Sequence, residues 1–465
     1  MIFRCRAGSS VATFLLLVYT ALQSAADPIY DRACINDHCF VRSTFLPSTF
    51  AWVIDSFVAA DSGIGVVAFE YGESKGATYG YFTHFDAWGN MLHQPVLIDE
   101  EHGFRLNHLY AARLQDVTVL LWQAPFTNGS HYLRFFDTSG NALTDAIYVL
   151  TSNATPGQWW VSAGPDRATA TVLANRGSGQ VVHVRSFNCA GDPIEPNAQL
   201  DAMYGDADFP RTAVATNGDL LLTYKSGPDY PTQYAVFERF SGADGTRLVQ
   251  TAIARATSSW MIWEMQDASI AIGYGSSVEG QHHIFVQRLD TDGVPTEGRL
   301  DLGTDGAYIG TGLRDGRFAY VFDASRVVWV HLFDEDWNSL GPALEVQTPL
   351  LDSSEQTGLF VRNELAYEEN GTVWLTWYTW GGPDANIWTA TLQPFLPGDM
   401  NRDGLLNNFD IDPFVFALSN LPAYAATFNI PEDAAVIIGD INEDGFLNNF
   451  DIDPFVECLT GGGCQ

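Results

Sequence analysis

Residues 49–395 repeat a unit of roughly fifty residues. Each unit carries a mark made of an aromatic residue or leucine, an acidic or polar turn and, in most copies, a glycine. The marks begin at Phe85, Phe136, Phe187, Phe240, Leu289 and Phe333. The D-x-x-G pattern within them predicts a β-hairpin in which glycine takes the left-handed conformation.

An apolar strand precedes each mark, and a seventh such strand follows the last one. These segments are residues 66–69, 119–122, 171–174, 220–224, 270–274, 318–322 and 373–377. The second unit reads as four consecutive strands. Four strands in each of seven units predict a mainly β fold, a seven-bladed β-propeller with four-stranded blades. A tandem pair of β-sandwiches and a different blade count are the alternatives.

The last unit is one strand short. After residues 386–393 the chain runs directly into Pro394 and Pro397, which leaves no room for a fourth strand. A spare strand-like segment, residues 40–46, precedes the first unit. Because a closed ring hides its sheet edges, this N-terminal strand is predicted to complete the last blade.

The chain ends in a duplicated motif. Residues 406–415 recur letter for letter as residues 447–456, and a short acidic run precedes each copy. Together they read D-x-N-x-D-G-x-x-N-x-x-D twice, which is the spacing of an EF-hand calcium loop. The alternative for a single copy is an acidic surface turn, but two complete loops favour calcium.

Two Ca²⁺ ions are therefore expected, each held by oxygen atoms at loop positions 1, 3, 5, 7, 9 and 12. The last position is Asp rather than the bidentate Glu of intracellular sensors, which suits a structural ion in an ion-rich medium. The first ligand set is Asp399, Asn401, Asp403, the carbonyl of Leu405, Asn407 (directly or through water) and Asp410. The second set is Asp440, Asn442, Asp444, the carbonyl of Phe446, Asn448 and Asp451.

From Gly398 to about Leu459 the sequence resembles the dockerin type I family, whose duplicated calcium loop and helix units carry this Asp. The resemblance implies a small α-helical calcium-binding domain that docks to a cohesin-like protein or a cell-surface component. A proline follows each loop, and proline is welcome only in the first turn of a helix. The helices are therefore predicted to start at Pro413 and Pro454, with Asp412 and Asp453 as N-caps.

Composition narrows the possible partners. The formal net charge is −33 and the only lysines are Lys75 and Lys225, so nucleic acid and anionic membranes are not expected partners. The hydrophobic share of 46% and the charged share of 17% indicate a globular chain. After the N-terminal region, no segment is long and apolar enough to span a membrane.

The N-terminus reads as a secretory signal cleaved near Ala26, which predicts a secreted, extracellular or cell-surface protein. The predicted plan is a signal peptide at 1–26, a propeller at 27–397 and a dockerin-like domain at 398–465. Cysteine use agrees with export, since Cys34 with Cys39 and Cys458 with Cys464 are close enough to pair. Cys189 has no obvious partner.

Compact catalytic motifs such as H-E-x-x-H and the Walker sequence do not occur. Four histidines fall at similar places on predicted third strands: His84, His131, His183 and His331. Alternation on half-exposed strands explains them better than a ring of metal ligands down the channel. The many tryptophans read first as core between blades, with sugar stacking as the alternative.

Two functions compete. The first is a secreted, non-catalytic binding or scaffold protein, whose propeller presents a surface to a protein or glycan and whose tail docks or stabilises. The alternative is an extracellular polysaccharide-degrading hydrolase or lyase that carries a dockerin-like tail. If the two parts fold separately, disabling both loops should leave the melting of the propeller unchanged.

Overall fold

The computed structural model describes residues 28–461, apart from residues 37, 49–52, 62, 73–77, 100, 102–108, 115, 125–128, 152–158, 177–178, 202–206, 228–232, 297, 304–306, 325–326, 347–358 and 380–385. The predicted signal peptide and Cys464 lie outside the described residues.

The strands of the described residues form seven antiparallel sheets, each a blade of the ring. An N-terminal hairpin consists of β1 (Ile29–Ile35) and β2 (His38–Ser48). The first blade holds β3 (Val53–Asp61), β4 (Ile64–Gly72), β5 (Thr78–Asp86) and β6 (Val96–Leu97). The second holds β7 (Leu109–Leu114), β8 (Val117–Ala124), β9 (Ser130–Phe136) and β10 (Ile147–Thr151). The third holds β11 (Trp159–Ala163), β12 (Ala168–Arg176), β13 (Gly179–Phe187) and β14 (Pro193–Asp201).

The remaining blades follow the same order. The fourth holds β15 (Ala207–Val214), β16 (Leu220–Ser226), β17 (Tyr234–Phe240) and β18 (Arg247–Arg255). The fifth holds β19 (Ser258–Glu264), β20 (Ile270–Val278), β21 (Gln281–Leu289) and β22 (Leu300–Gly303). The sixth holds β23 (Ala307–Gly312), β24 (Phe318–Ala324), β25 (Val327–Phe333) and β26 (Leu344–Val346). The seventh begins with β27 (Leu359–Tyr367), β28 (Val373–Thr379) and β29 (Asn386–Phe395).

The chain is a seven-bladed β-propeller, as predicted. The first strands of consecutive blades contact one another, and β27 contacts β3, so these strands form a closed ring around the central channel. The seven apolar segments identified in the sequence fall on the second strands of the seven blades. Their side chains form the buried layers between neighbouring blades.

The predicted closure of the ring is confirmed. Strand β2 pairs antiparallel with β29 and supplies the fourth strand of the seventh blade, with Phe40 opposite Pro394. Strand β1, which the sequence did not predict, pairs outside β2 as a fifth strand. Cys34 lies opposite Cys39 and forms the predicted disulfide with it.

The predicted hairpin turns are also confirmed, and the first one shows why the pattern recurs. Asp86 accepts hydrogen bonds from the backbone N–H groups of Trp88 (3.0 Å) and Asn90 (2.9 Å), and Gly89 takes the left-handed conformation with φ of 83°. The turn that begins at Asp137 repeats these bonds. The aspartate therefore fixes the turn that the glycine makes possible.

The junction between the seventh and first blades leads to a prediction. A Cβ atom on Gly65 would lie 2.4–2.8 Å from ring atoms of the buried Trp374. Gly65→Ala is expected to lower the free energy of unfolding by about 1–3 kcal/mol, because the ring must move in a packed core. Urea unfolding would measure the loss. Gly298→Ala, where the added Cβ meets nothing within 4 Å, is the control and should be neutral; equal losses would contradict the prediction.

Four short α-helices follow the propeller: α1 (Ile411–Ser419), α2 (Leu421–Phe428), α3 (Glu432–Gly439) and α4 (Ile452–Leu459). A single 3₁₀ turn runs directly into α1 (Asn408–Asp410), and another runs into α4 (Asn449–Asp451). No helix in the described part of the chain is both long and apolar enough to cross a lipid bilayer. Residues 398–461, with these helices, are called the tail below.

The predicted helix starts at Pro413 and Pro454 are wrong. The helical segment starts earlier, because the side chain of Asn407 accepts a hydrogen bond from the backbone N–H of Phe409 (2.8 Å). The proline is therefore the third residue of α1, still within the first turn where it is tolerated. Asp412 and Asp453 are first-turn residues rather than N-caps.

The tail packs against one face of the ring. Helix α3 contacts β1 and β2, and Trp88, in the turn after β5, belongs to the same buried cluster as the tail helices. This is the face of the turns that join first to second and third to fourth strands. Among the described residues, the strand ends that lead to the other connections lie at the opposite face, away from the contacts of α3 with β1 and β2.

Candidate metal centre

The first candidate loop folds around its two end carboxylates. Asp399 accepts a hydrogen bond from the backbone N–H of Gly404 (2.9 Å). Asp410 accepts from the backbone N–H groups of Asn401 (3.0 Å) and Asn407 (2.8 Å). The carboxylates at positions 1 and 12 thus hold the loop closed from both ends.

The second loop has the same arrangement. Asp440 accepts a hydrogen bond from the backbone N–H of Gly445 (2.8 Å). Asp451 accepts from the backbone N–H groups of Ile441 (2.9 Å) and Asn448 (2.8 Å). Two segments whose equivalent residues lie 41 positions apart in sequence therefore fold into the same loop.

The middle positions direct further oxygen atoms into each loop. Asn401 accepts from the backbone N–H of Asp403, and Asp403 accepts from that of Leu405, both at 2.9 Å. The side-chain amide of Asn407 donates to the carbonyl of Leu405 at 3.4 Å. The second loop repeats these bonds with Asn442, Asp444, Phe446 and Asn448. The structure thus brings the twelve predicted residues together in two matching loops.

Backbone conformation agrees between the loops as well. Arg402 and Glu443, at position 4, have φ values of 59° and 60°, and Gly404 and Gly445, at position 6, have 84° and 87°. A left-handed residue at position 6 is the sharp turn for which calcium loops of this spacing use glycine.

The end carboxylates lie in surroundings that favour a cation. Asp410 and Asp451 are fully buried, while Asp399 and Asp440 are 6% and 8% exposed. Burial raises the pKa of Asp399, and the nearby charge of Asp410 raises it further. Burial also raises the pKa of Asp440, with a smaller contribution from Asp451. A bound divalent cation would offset this cost of burying like charges together.

The donors of each loop fit calcium, because all of them are oxygen atoms, which this hard cation prefers. Within the described residues, no three Asp, Glu, His or Cys side chains converge closely enough to hold a metal ion by themselves. A calcium ion in either loop would therefore depend on the asparagine and backbone carbonyl oxygens as well as on the carboxylates.

The two halves of the tail pack symmetrically. Phe414 and Phe455, which follow the two prolines, stack with ring centroids 4.2 Å apart. The backbone N–H of Gly398 donates to the carbonyl of Ile438 (3.0 Å) and links the start of the first loop to the end of α3. Tyr424, in α2, donates to the carbonyl of Met400 (2.7 Å).

Equivalent apolar side chains of the two halves remain exposed, and they are called the paired apolar face. In the first half they are Leu405 (64% exposed), Phe409 (78%), Ile411 (41%) and Val415 (56%). In the second half they are Phe446 (70%), Phe450 (77%), Ile452 (40%) and Val456 (51%). Ile411 and Val415 are four residues apart and so share one side of α1. Because exposed apolar patches are where soluble proteins commonly contact partners, this set is a candidate docking surface.

The four candidate histidines lie on third strands, as predicted. These strands are β5, β9, β13 and β25, whereas the channel is lined by the first strands. His84 is fully buried and within hydrogen-bond distance of His93 (2.7 Å) and Thr118 (2.6 Å). His131 is fully buried against the ring of Trp159. A ring of metal ligands down the channel is therefore wrong, and the histidines belong to the packing between strands and blades.

Aromatic residues fill part of the channel. Trp160 lies on the first strand of the third blade, 5.2 Å from the ring of Tyr110, and the guanidinium of Arg211 stacks over it at 4.4 Å. Trp160 also packs against the buried cluster of the sixth and seventh blades, across the ring. This level of the channel is therefore occupied by side chains.

Two arginine contacts outside the predicted ligand sets join the loops to the propeller. Arg32 forms an ion pair with Glu443 (2.9 Å), and Arg402 lies 5.0 Å from the ring centroid of Trp88. Neither contact was predicted. The sequence feature that could have indicated these contacts is position 4, where Arg402 and Glu443 carry opposite charges in loops that are otherwise nearly identical.

No family model matches the chain, and no curated protein matches it either. Solved structures with the same fold include the β-propeller domain of the Trilobed protease from Pyrococcus furiosus, at 8% identity and a TM-score of 0.46, over 73% of this chain and 95% of that one. A polysaccharide lyase aligns at 10% identity and 0.46, over 72% and 89%. An ulvan lyase aligns at 10% identity and 0.42, over 68% and 95%.

Proposed function

We propose that the chain is a secreted adaptor with two binding faces. The tail holds two calcium ions and docks to a cohesin-like protein, and the propeller binds a second protein or a glycan at its opposite face. The observation that carries the proposal is the paired apolar face, which places exposed apolar side chains at equivalent positions of two matching loops and the helices that follow them.

Calcium would order the tail in this proposal. The first ion would be held by Asp399, Asn401, Asp403, Asn407 and Asp410, and the second by their equivalents. The ion supplies positive charge among buried carboxylates and fixes the loops from which α1 and α4 begin. Because an ion that binds only the folded form stabilises it, occupancy at a hundred times the dissociation constant adds about 2.7 kcal/mol per site.

The paired apolar face would contact the docking partner. Phe409 and Phe450 are 78% and 77% exposed, more than any other large apolar side chain in the described residues. Exposed phenylalanines gain most from burial in an apolar pocket of a partner. This chain is highly acidic, so a partner with an acidic binding surface would be repelled. The partner that fits the paired apolar face is therefore a cohesin-like module with an apolar binding surface.

The propeller would use the face that the tail leaves uncovered. A docked partner and a propeller ligand can then be held at once, without competing for one surface. Trp160, Tyr110 and Arg211 fill a level of the channel, which favours binding at the surface over a deep pocket for chemistry.

Calcium stoichiometry tests the loops. The mature chain is expected to bind two Ca²⁺ ions by isothermal titration calorimetry. Asp403→Ala combined with Asp444→Ala should bind none, because each change removes a carboxylate from one loop. Asp412→Ala combined with Asp453→Ala is the matched control and should keep both ions. A wild-type chain that binds no calcium would overturn this part of the proposal.

Docking is tested by pull-down with purified cohesin modules, with and without EDTA. Phe409→Ser combined with Phe450→Ser should abolish capture while leaving calcium binding intact. Leu92→Ser with Leu143→Ser, two other exposed apolar residues, is the control. Capture that ignores both EDTA and the phenylalanine changes would contradict docking through this face.

The alternative, a polysaccharide-degrading enzyme, is tested with the same full-length protein. Incubation with a panel of polysaccharides, followed by assays for new reducing ends and for the absorbance of unsaturated sugars, separates the two. The adaptor predicts binding without release of either product, and product formation would favour the enzyme.

A further inference from the structure

The N-terminal hairpin closes the ring. Strand β2 supplies the outer partner of β29, and β1 lies outside it. Asn36, in the turn of this hairpin, donates to the carbonyl of Leu340 (2.6 Å) in the sixth blade, and Tyr30 donates to the carbonyl of Trp88 (2.8 Å) in the first. The hairpin therefore connects three blades at the one place where the ring is not continuous in sequence.

The tail shares a buried core with this hairpin. Val41 of β2 and Trp88 are 0% and 6% exposed, and they belong to one cluster with Phe414, Tyr424 and other buried residues of the helices. Tyr30 and Phe395 pack against the same cluster. A tail that unfolded would expose this part of the ring closure to water.

The second loop is also joined to the hairpin by polar contacts. Arg32 of β1 donates to the backbone carbonyl of Asp440 (3.2 Å), at position 1 of the loop. The same side chain forms an ion pair with Glu443 (2.9 Å), at position 4. Asp440 thus offers its side chain to the candidate ion and its carbonyl to the ring closure.

The first loop contacts the propeller through Arg402, whose charge is opposite to that of Glu443 in the second loop. The guanidinium of Arg402 lies over the ring of Trp88, a cation–π contact at 5.0 Å. The two loops agree at every predicted side-chain ligand and differ only at positions 2, 4 and 7. At position 4 the two charges are opposite, and each suits the group that faces it on the propeller.

From this geometry we infer that the tail is a calcium-dependent clasp on the ring closure. The inference rests on the proposed calcium sites. An ion that orders the loops also fixes the backbone to which Arg32 is bonded and the core that covers Trp88. Stability gained in the loops is therefore transmitted to the seventh blade, and the expectation that the two parts melt independently is replaced by coupled melting.

Tryptophan fluorescence offers a selective readout, because all 13 tryptophans lie between residues 52 and 388 and none lies in the tail. The full mature chain is melted in CaCl₂ and in EDTA. The clasp predicts that EDTA lowers the tryptophan-detected Tm by at least about 5 °C. Asp403→Ala with Asp444→Ala should melt alike in both solutions.

Two milder variants test the connection itself. Arg32→Ala and Glu443→Gln leave the predicted side-chain ligands in place, so both should still bind two ions by calorimetry. Their tryptophan-detected Tm should shift by less than half as much as that of the wild type between the two solutions. Arg288→Ala breaks an ion pair of similar length (2.8 Å, with Asp267) in the fifth blade and should keep the full shift.

The outcomes distinguish the clasp from the calcium sites. If calorimetry finds no calcium on the wild type, the proposed function fails at its first step, and the clasp fails with it. If two ions bind but the tryptophan-detected Tm does not move, the sites stand and the clasp is wrong. A full shift in Arg32→Ala and Glu443→Gln would likewise overturn the role of these contacts.

Discussion

Asp451→Ala is expected to unfold the tail at a much lower urea concentration than the wild type, even in EDTA. Asp451 is fully buried and accepts hydrogen bonds from the backbone N–H groups of Ile441 (2.9 Å), Asn442 (3.2 Å) and Asn448 (2.8 Å). Hydrogen bonds to charged groups each contribute about 1.5–3 kcal/mol. Losing three of them, with the donors left unpaired, should cost roughly 4 kcal/mol or more.

The measurement is far-UV circular dichroism at the helix band during urea unfolding of the full chain. All α-helices of the described residues lie in the tail, so this signal reports the tail. Asp410→Ala, which removes two such bonds, should cost less than Asp451→Ala. If calcium binds as proposed, adding it should widen the gap between wild type and variant.

Asp453→Ala is the control for this prediction. Asp453 is exposed, lies in the first turn of α4 and does not cap it. Its charge near the helix N-terminus is worth only about 0.3–1 kcal/mol. Equal destabilisation by Asp451→Ala and Asp453→Ala would show that the buried carboxylate does not hold the loop.

The architecture of the ring followed from the sequence because its signals are local. Each turn needs an aspartate and a left-handed glycine within a few residues, and each second strand is a short apolar run. The closure by β2 followed from counting, since the last unit lacked a strand. The fifth strand, β1, was missed although Cys34 and Cys39 have the spacing of a hairpin.

The sequence explained only part of the reason that glycine recurs in the hairpin turns. Gly140 has φ of 83°, as the turn requires, but a Cβ atom there would also lie 2.8 Å from Val96 of the preceding blade. Gly293 meets Phe237 and Val249 of its preceding blade in the same way. Contacts between blades join residues about fifty positions apart, which no local pattern records.

In the candidate site, too, the sequence predicted the local features but not the long-range contacts. The ligand spacing of the loops is local, so the sequence predicted all twelve residues as one set per loop. The clasp joins Arg32 to Asp440 and Glu443 across some four hundred residues, and only the opposite charges at position 4 hinted at it. The helix starts were wrong because Asn407 begins the helical turn before the proline is reached.

Acidification is expected to destabilise the propeller more than any single change at its surface. Burial lowers the pKa of His84 to about 3, and the charges of Arg113 and His93 lower it in the same direction, against smaller opposing effects of the Thr138 backbone and of Asp137. Burial lowers the pKa of His131 to about 4, opposed by the carbonyl of Leu150. Both side chains are therefore neutral in the folded protein where free histidine is protonated.

The direction of the effect follows from which state takes up protons. Below pH 6.5 the unfolded chain protonates these histidines and the folded chain does not, so stability falls as the pH falls toward 4. Each histidine contributes a slope of about 1.4 kcal/mol per pH unit in this window. Together they should remove roughly 4 kcal/mol between pH 6.5 and 4.5. The raised pKa values of Asp399 and Asp440 act in the opposite direction and reduce the net loss.

Urea unfolding in EDTA from pH 7.5 to 4.5, followed by tryptophan fluorescence, measures this slope on the propeller. His84→Gln combined with His131→Gln should start from a lower stability at pH 7.5 but lose much less of it on acidification. His38→Gln, at an exposed position of β2, should keep the wild-type slope. If the double variant and the wild type lose stability in parallel, carboxylates rather than buried histidines govern the acid response. In that case the histidines on the third strands would contribute to packing but not to the pH dependence of stability.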